Sequence, residues 1–264
     1  MKIRLSAKKI LAAAALLAAA SAGAETADDV IARNIAARGG MEKIKAIRSV
    51  DMSIKANQQG LEFPGRLEWK RPDKMRLEMT IQGKTMVQAY DGKTAWAVMP
   101  FLGSPDPQVM SADDAKDVIE QADMDGPIVD YKAKGNSVEL VGKEDVEGSP
   151  AEKLKVTLKN GDVSYVYIDA ETGLAVKETS KRKQHGSEVE IDSYMTNFKP
   201  IEGVLFPFAI ENKVQGKSVG QFTIEDVKPN VAIDDAAFAM PAPAAKPAAE
   251  KPAPARPAAG EEKK

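Results

Sequence analysis

Residues that usually carry protein chemistry are scarce in this chain. It has one histidine, His185, in a polar run, and no cysteine. A zinc site draws on several Cys or His ligands, and a Ser-His-Asp triad would depend on His185 alone, with no Gly-x-Ser-x-Gly turn present. The segment Asp123-Met124-Asp125-Gly126 faintly matches a calcium loop but lacks the acidic ligand at its twelfth position. The sequence therefore predicts no catalytic residue, no metal and no cofactor, and it favours a binding protein over an enzyme.

The clearest pattern lies in residues 65–101. Three alternating apolar and polar runs are separated by a Pro-containing bend, a Gly turn and an Asp-Gly turn. This pattern predicts an antiparallel meander in which every second side chain faces the same way. Such a sheet must cover its apolar side with another element. The apolar side is expected to carry Leu67, Trp69, Met75, Leu77, Met79 and Ile81.

Two helices are predicted near these strands. The first begins after the N-cap candidate Thr26 and ends at the glycine pair 39–40. The second begins after Ser111 and runs towards a glycine stop at 126, with an acidic first turn. Its apolar side is thin and includes Val118 and Ile119, so it should dock loosely on the core.

The remaining sequence predicts strands and loops. Residues 100–110 are expected to form a loop and 128–133 a strand, and Asn160-Gly161 is the strongest hairpin signal. About a dozen strands and few helices indicate a mainly β (α+β) fold. The expected architecture is one strongly curved antiparallel sheet.

Both ends of the chain differ in composition from its middle. Residues 1–24 have a basic start, a short apolar run and a small-residue site that predicts cleavage after Ala24, as in a secretory signal peptide. Residues 241–264 form a Pro/Ala/Lys-rich tail that cannot bury much apolar surface. A single domain is expected over 25–240. The whole chain has a net charge of −2, to which residues 1–24 contribute +4 and residues 241–264 contribute +2, so the folded part carries −8. An acidic domain without a basic stripe argues against nucleic-acid binding.

Several short motifs occur in a recognisable order along the chain. They are Gly-x-Leu-x-x-Lys-Arg-Pro-Asp at 65–73, Asp-Gly-Lys-Thr-x-Trp at 91–96, Pro-Phe at 100–101, Gly-x-x-x-Pro at 203–207 and Asp-x-x-Phe-x-x-Pro at 235–241. With the order of predicted elements, they resemble the outer-membrane lipoprotein-sorting family of the LolA type. The specific part of the resemblance is confined to 65–101.

The resemblance implies an incomplete β-barrel whose concave apolar face is covered by short helices and receives acyl chains. It implies a periplasmic monomer that carries lipoprotein acyl chains or phospholipid between an inner-membrane donor and an outer-membrane acceptor. The family's functional arginine matches Arg71, which would hydrogen-bond carbonyls of the covering helix and act as its latch. An arginine that only fixes the bend before Pro72 is an equal alternative. The expected cavity wall is Leu67, Trp69, Met75, Leu77, Met79 and Trp96, and the expected lid residues are Val118 and Ile119.

Two further functions stay open at this point. Met75 replaces an aromatic residue of the carrier, and the second half of the chain is longer than the carrier's. A same-fold envelope sensor or protein-binding module without a shuttle role is therefore an alternative. An enzyme acting on lipids is a third, although no serine in the sequence is marked as its nucleophile.

Overall fold

The computed structural model describes residues 25–184 and 187–242. The predicted signal peptide 1–24, His185 and residues 243–264 of the predicted tail lie outside the described residues. Within them, no helix is both long and apolar enough to cross a membrane. The helices are α1 (Ala27–Ala37), α2 (Met41–Ala46), α3 (Ala112–Gln121) and α4 (Tyr131–Lys134), with two 3-10 turns at Pro100–Leu102 and Asp235–Ala237.

Strands dominate the described residues. Thirteen of them form one antiparallel sheet in the order β6-β5-β4-β3-β2-β1-β15-β14-β11-β10-β9-β8-β7, and this order is open at both ends. The mainly β, open-sheet prediction is confirmed. The strands are β1 (Ser49–Gln58), β2 (Leu61–Lys70), β3 (Lys74–Ile81), β4 (Lys84–Tyr90), β5 (Ala95–Met99), β6 (Ser104–Val109), β7 (Ser137–Val146), β8 (Ser149–Thr157), β9 (Val163–Asp169), β10 (Ala175–Gln184), β11 (Ser187–Thr196), β12 (Lys199–Ile201), β13 (Val204–Phe206), β14 (Ala209–Val214) and β15 (Lys217–Pro229).

The chain forms two compact units. The first unit contains the described parts of Met1–Ala46 together with Asp125–Val219, and the second contains Ile47–Met124 with the described part of Gly220–Lys264. The prediction of one domain over 25–240 stays a prediction.

In the first unit, α1 packs on β8 and β9. Thr26 caps the helix and exchanges hydrogen bonds with Asp29, which completes a capping box. The helix buries Val30 and Ile31 against a core of Ile128, Leu154, Val156, Val166 and Ile168. The predicted helix start is confirmed.

A close backbone approach fixes the end of α1 in this unit. Gly39 has a φ of +119°, and a Cβ atom at this position would lie 2.1 Å from the carbonyl oxygen of Gly203 in the β12–β13 turn. The amide of Leu205 donates to the carbonyl of Arg38 over 2.9 Å. Only glycine combines this backbone conformation with this contact.

Two predicted elements were assigned wrongly. Residues 104–109 form the edge strand β6 rather than a loop. Just after it, the backbone amide of Met110 donates to the carbonyl oxygen of Ala95 over 2.9 Å. Pro105 and Pro107 lie where the pairing register between β5 and β6 is irregular. Proline, which lacks an amide hydrogen, is tolerated at such edges and bulges. The predicted strand at 128–133 is instead a turn followed by α4. Ile128 and Val129 are buried, as in a strand, but they lie in the turn.

Candidate functional site

In the second unit, the predicted apolar residues of β2 and β3 lie on one face of the meander. Trp69 pairs with Met75, and Leu67 pairs with Leu77. Gly65 lies opposite Met79, which is 5% exposed. Directly paired residues of an antiparallel ladder share a face. Leu67, Trp69, Met75, Leu77 and Met79 therefore lie on one face, as the alternation predicted.

Helix α3 covers part of this face. Its Val118 and its C-cap Ala122 are buried with Met75 in one cluster. Partly buried apolar side chains pack around that cluster. They are Leu67, Trp69, Leu77, Tyr90 and Met110.

The start and the outer side of α3 follow from its sequence. Ser111 accepts a hydrogen bond from the amide of Asp114, which fixes the helix start that the sequence predicted. Val118 is 1% exposed, whereas Ile119 is 44% exposed. Of the two predicted lid residues, Val118 therefore contacts the sheet, and Ile119 lies on the outer side of the helix.

A hydrogen bond ties the end of α3 to the same face. The indole Nε1 of Trp69 donates to the carbonyl oxygen of Gln121 over 2.8 Å. The last carbonyls of a helix have no partner within the helix, and a Trp N–H that is partly buried needs an acceptor. Trp69 thus packs on the covered face and also ties the end of α3 to it, a contact that sequence reasoning missed. The available signal was the indole N–H of Trp69, a hydrogen-bond donor that the alternation places on the apolar face of the meander.

Arg71 lies at the bend between β2 and β3. Its Nε donates to the carbonyl oxygen of Ile47 over 2.7 Å, and its backbone amide donates to the carbonyl of Arg48 over 2.9 Å. These bonds connect the bend to the segment that leads into β1. Such contacts fit the alternative of an arginine that fixes the bend, and the lid-latch role stays a prediction.

Trp96 lies on the opposite face of the meander. It pairs with Ala89 and packs with Val87, and the guanidinium of Arg76 lies 5.4 Å from its ring centre. Its Nε1 donates to the carbonyl oxygen of Phe238 over 2.8 Å. The structure therefore does not bring Trp96 together with the other five predicted wall residues.

This opposite face carries the charged residues. Burial raises the pKa of Glu68, which lies beside Arg66 with a closest distance of 3.0 Å between their charged atoms. Hydrogen bonds from Lys70 and Lys74 lower the pKa of Asp235 to about 2. In β2 and β3 the charged side chains thus lie on the face opposite Leu67 and Met75, whereas in β4 and β5 that face carries the apolar cluster around Trp96.

No group of His, Cys, Asp and Glu side chains suited to hold a metal ion occurs within residues 25–184 and 187–242. Asp125, part of the weak calcium-loop match, instead forms an ion pair with Lys45 at 2.5 Å in the first unit. The side chains gathered under α3 are apolar or aromatic. This arrangement is suited to hold an apolar ligand by burial of surface.

Comparisons with known proteins identify the fold. No protein-family profile matches the sequence, and no curated protein matches it. A solved DUF1329 family protein from Desulfovibrio piger is 13% identical, with a TM-score of 0.55, and the match covers 80% of this chain and 96% of that one. A LolA superfamily protein from Nitrosomonas europaea is 15% identical, with a TM-score of 0.53, and covers 82% and 98%.

A third solved structure is also similar to this chain. A putative outer membrane lipoprotein-sorting protein domain from Vibrio parahaemolyticus is 12% identical, with a TM-score of 0.51, and covers 75% of this chain and 93% of that one. At such identities the similarity shows the fold alone. The chain has a LolA-like fold, which confirms the predicted resemblance at the level of architecture.

Proposed function

We propose that this protein binds acyl chains of lipids or lipoproteins on the meander face that α3 covers. The observation that supports this most is the thinness of the cover. Helix α3 contributes only Val118, and its C-cap contributes Ala122, to a cluster with larger apolar and aromatic side chains of the face. A helix held by so little apolar surface opens at a lower cost than the core of the unit.

An acyl chain can bury more apolar surface on this face than α3 does. Full burial of a valine side chain contributes about 1.5–3 kcal/mol, and an alanine contributes less. A bound acyl chain contributes about 0.8 kcal/mol per buried methylene, so ten methylenes contribute about 8 kcal/mol before the ordering cost. Before that cost, burial of the acyl chain therefore contributes more than the burial that α3 gives up. Met75 and Met79 suit such a ligand because thioether side chains adapt their shape.

The biological setting of this proposal is the bacterial envelope. A carrier of this type would be secreted by the predicted signal peptide, take up its cargo from an inner-membrane donor and release it to an outer-membrane acceptor in the periplasm. The LolA-like fold and the lipoprotein-sorting name of one solved neighbour support this setting. Trp69, and Arg71 through the bend, would hold α3 closed between loading and release.

Uptake of a natural phospholipid by the delipidated, secreted full chain, followed by native mass spectrometry, tests the proposal. Leu77→Asn places an amide on the covered face and should abolish uptake. Val98→Asn is the matched control, because Val98 is a half-buried residue packed on the opposite face. Equal uptake by both folded variants, or no uptake by the wild type, contradicts the proposal. A protein partner retained without any lipid would favour the binding-module alternative.

A further inference from the structure

The apolar face under α3 continues along β2 and β3 beyond the cluster that the helix covers. Three cross-strand pairs follow one another in this column, and they are Trp69–Met75, Leu67–Leu77 and Gly65–Met79. The first two pairs belong to the α3 cluster, whereas Gly65 and Met79 do not. Residues two apart on a strand are separated by about 7 Å, so the column extends about 7 Å past the second pair.

Gly65 leaves a notch in this column, and Met79 fills it. A Cβ atom added at Gly65 would lie 2.3 Å from the sulfur of Met79, 2.7 Å from the carbonyl oxygen of Glu78 and 3.1 Å from Cγ1 of Ile54. The sulfur of Met79 therefore occupies the space that any larger residue at position 65 would need. Met79 is accordingly 5% exposed, although α3 does not cover it.

The walls of the Gly65 notch are apolar. Ile54 of β1 pairs with Gly65 and is 6% exposed, and Met86 of β4 pairs with Met79 and is half-buried. None of these side chains carries a strong hydrogen-bonding group. The Gly65 notch therefore suits the hydrocarbon end of a ligand, because a polar group buried there would lose its hydrogen bonds to water without replacement.

Hydrogen-bonding side chains of the same face lie between the Gly65 notch and the β2–β3 bend. Gln88 pairs with Leu77, and Tyr90 pairs with Met75. Both are half-buried, so an amide and a phenol group border the covered face on that side. A lipid headgroup finds polar partners there, and an acyl chain laid along the column then directs its methyl end to the notch.

We infer that the Gly65 notch receives the terminal methyl end of the acyl chain and that Met79 sets the chain length that the site accepts. A chain that reaches the notch displaces the sulfur of Met79, whose unbranched side chain has three rotatable bonds and can turn aside. Each methylene placed in the notch then replaces buried atoms of Met79, so further length adds little net burial. The inference rests on the proposed function, because it requires an acyl chain on this face.

The dependence of affinity on chain length tests the inference. The delipidated, secreted full chain is titrated, below the critical micelle concentration, with lysophospholipids that share one headgroup and differ only in the length of a saturated acyl chain. Native mass spectrometry gives the bound fraction of each. For wild type, affinity should rise about fourfold per added methylene and then level off at the length at which the chain meets Met79.

Two variants should shift this levelling-off point in opposite directions. Met79→Ala removes three heavy atoms from the Gly65 notch, so levelling off should begin at a chain about three carbons longer than in wild type. Gly65→Ala places a methyl group where the sulfur of Met79 lies and pushes that side chain out over the face. Levelling off should then begin at a shorter chain than in wild type.

Val87→Ala is the matched control, because Val87 is a buried apolar residue on the opposite face of β4. This variant should keep the wild-type length dependence. An unshifted or shortened limit in a folded Met79→Ala variant, or a wild-type affinity that does not level off, overturns the role of Met79 and leaves the acyl-chain proposal standing. Failure of wild type to bind any of the lysophospholipids overturns both. Should Gly65→Ala not fold, wild type and Met79→Ala alone still decide the inference.

Discussion

Loss of the Trp69 latch should loosen α3 without unfolding the second unit. Trp69→Phe keeps an aromatic ring on the covered face but removes the N–H that donates to the Gln121 carbonyl over 2.8 Å. One neutral hydrogen bond contributes about 1 kcal/mol net, which corresponds to about a fivefold change in an opening equilibrium. Hydrogen exchange followed by mass spectrometry should therefore show about fivefold faster exchange across Ala112–Gln121.

Trp96→Phe is a matched control for this experiment. It removes an indole N–H with the same donor–acceptor distance, but on the opposite face and towards the carbonyl of Phe238. Because Trp96 is 1% exposed, this variant should lower the midpoint of thermal unfolding more than Trp69→Phe does. Faster exchange should appear around Asp235–Ala237 and not in α3.

The pattern of exchange in the two variants decides the issue. Unchanged exchange across α3 in a folded Trp69→Phe variant would refute the latch. Equal acceleration of α3 by both variants would show a global effect instead of a local one. Faster loading of an acyl ligand by Trp69→Phe alone would connect the latch to the proposed function.

Two further predictions concern stability. Gly39→Ala should lower the free energy of unfolding by more than about 2 kcal/mol in chemical denaturation, because it combines a positive φ with a clash against the Gly203 carbonyl. Gly40→Ala, with a φ of +93° and no atom within 4 Å of the added Cβ, should cost about 1 kcal/mol, and equal losses would contradict the clash. Asp235→Asn should lower the thermal midpoint at neutral pH. The pKa of Asp235 is lowered from 3.8 to about 2 by two lysines, so the carboxylate stabilises the fold above pH 3.8, and the contribution is lost as the pH falls through about 2. A midpoint difference that persists below pH 2 would contradict this assignment.

The sequence predicted the covered face better than the other features of the site. Alternation fixes which residues of one strand share a face, and the short β2–β3 bend carries the pattern from Trp69 to Met75. Prediction failed at Trp96, because the four residues between Tyr90 and Ala95 set a register that places Trp96 opposite Ala89. Alternation alone does not determine the register across a turn of this length.

The Trp69 latch could be found only from three-dimensional contacts. Trp69 and Gln121 are far apart in sequence, so only the packing of α3 shows that the indole meets its last carbonyl.

Photoaffinity mapping of a bound acyl chain tests the central claim most directly. A phospholipid with a diazirine in its acyl chain is loaded onto the wild-type chain and activated by light, and the modified peptides are identified by mass spectrometry. We expect adducts on β2, β3 and the inner side of α3, around Leu67, Leu77 and Val118. Adducts confined to the opposite face around Trp96, or a loaded protein without adducts in these elements, would contradict acyl-chain binding beneath α3.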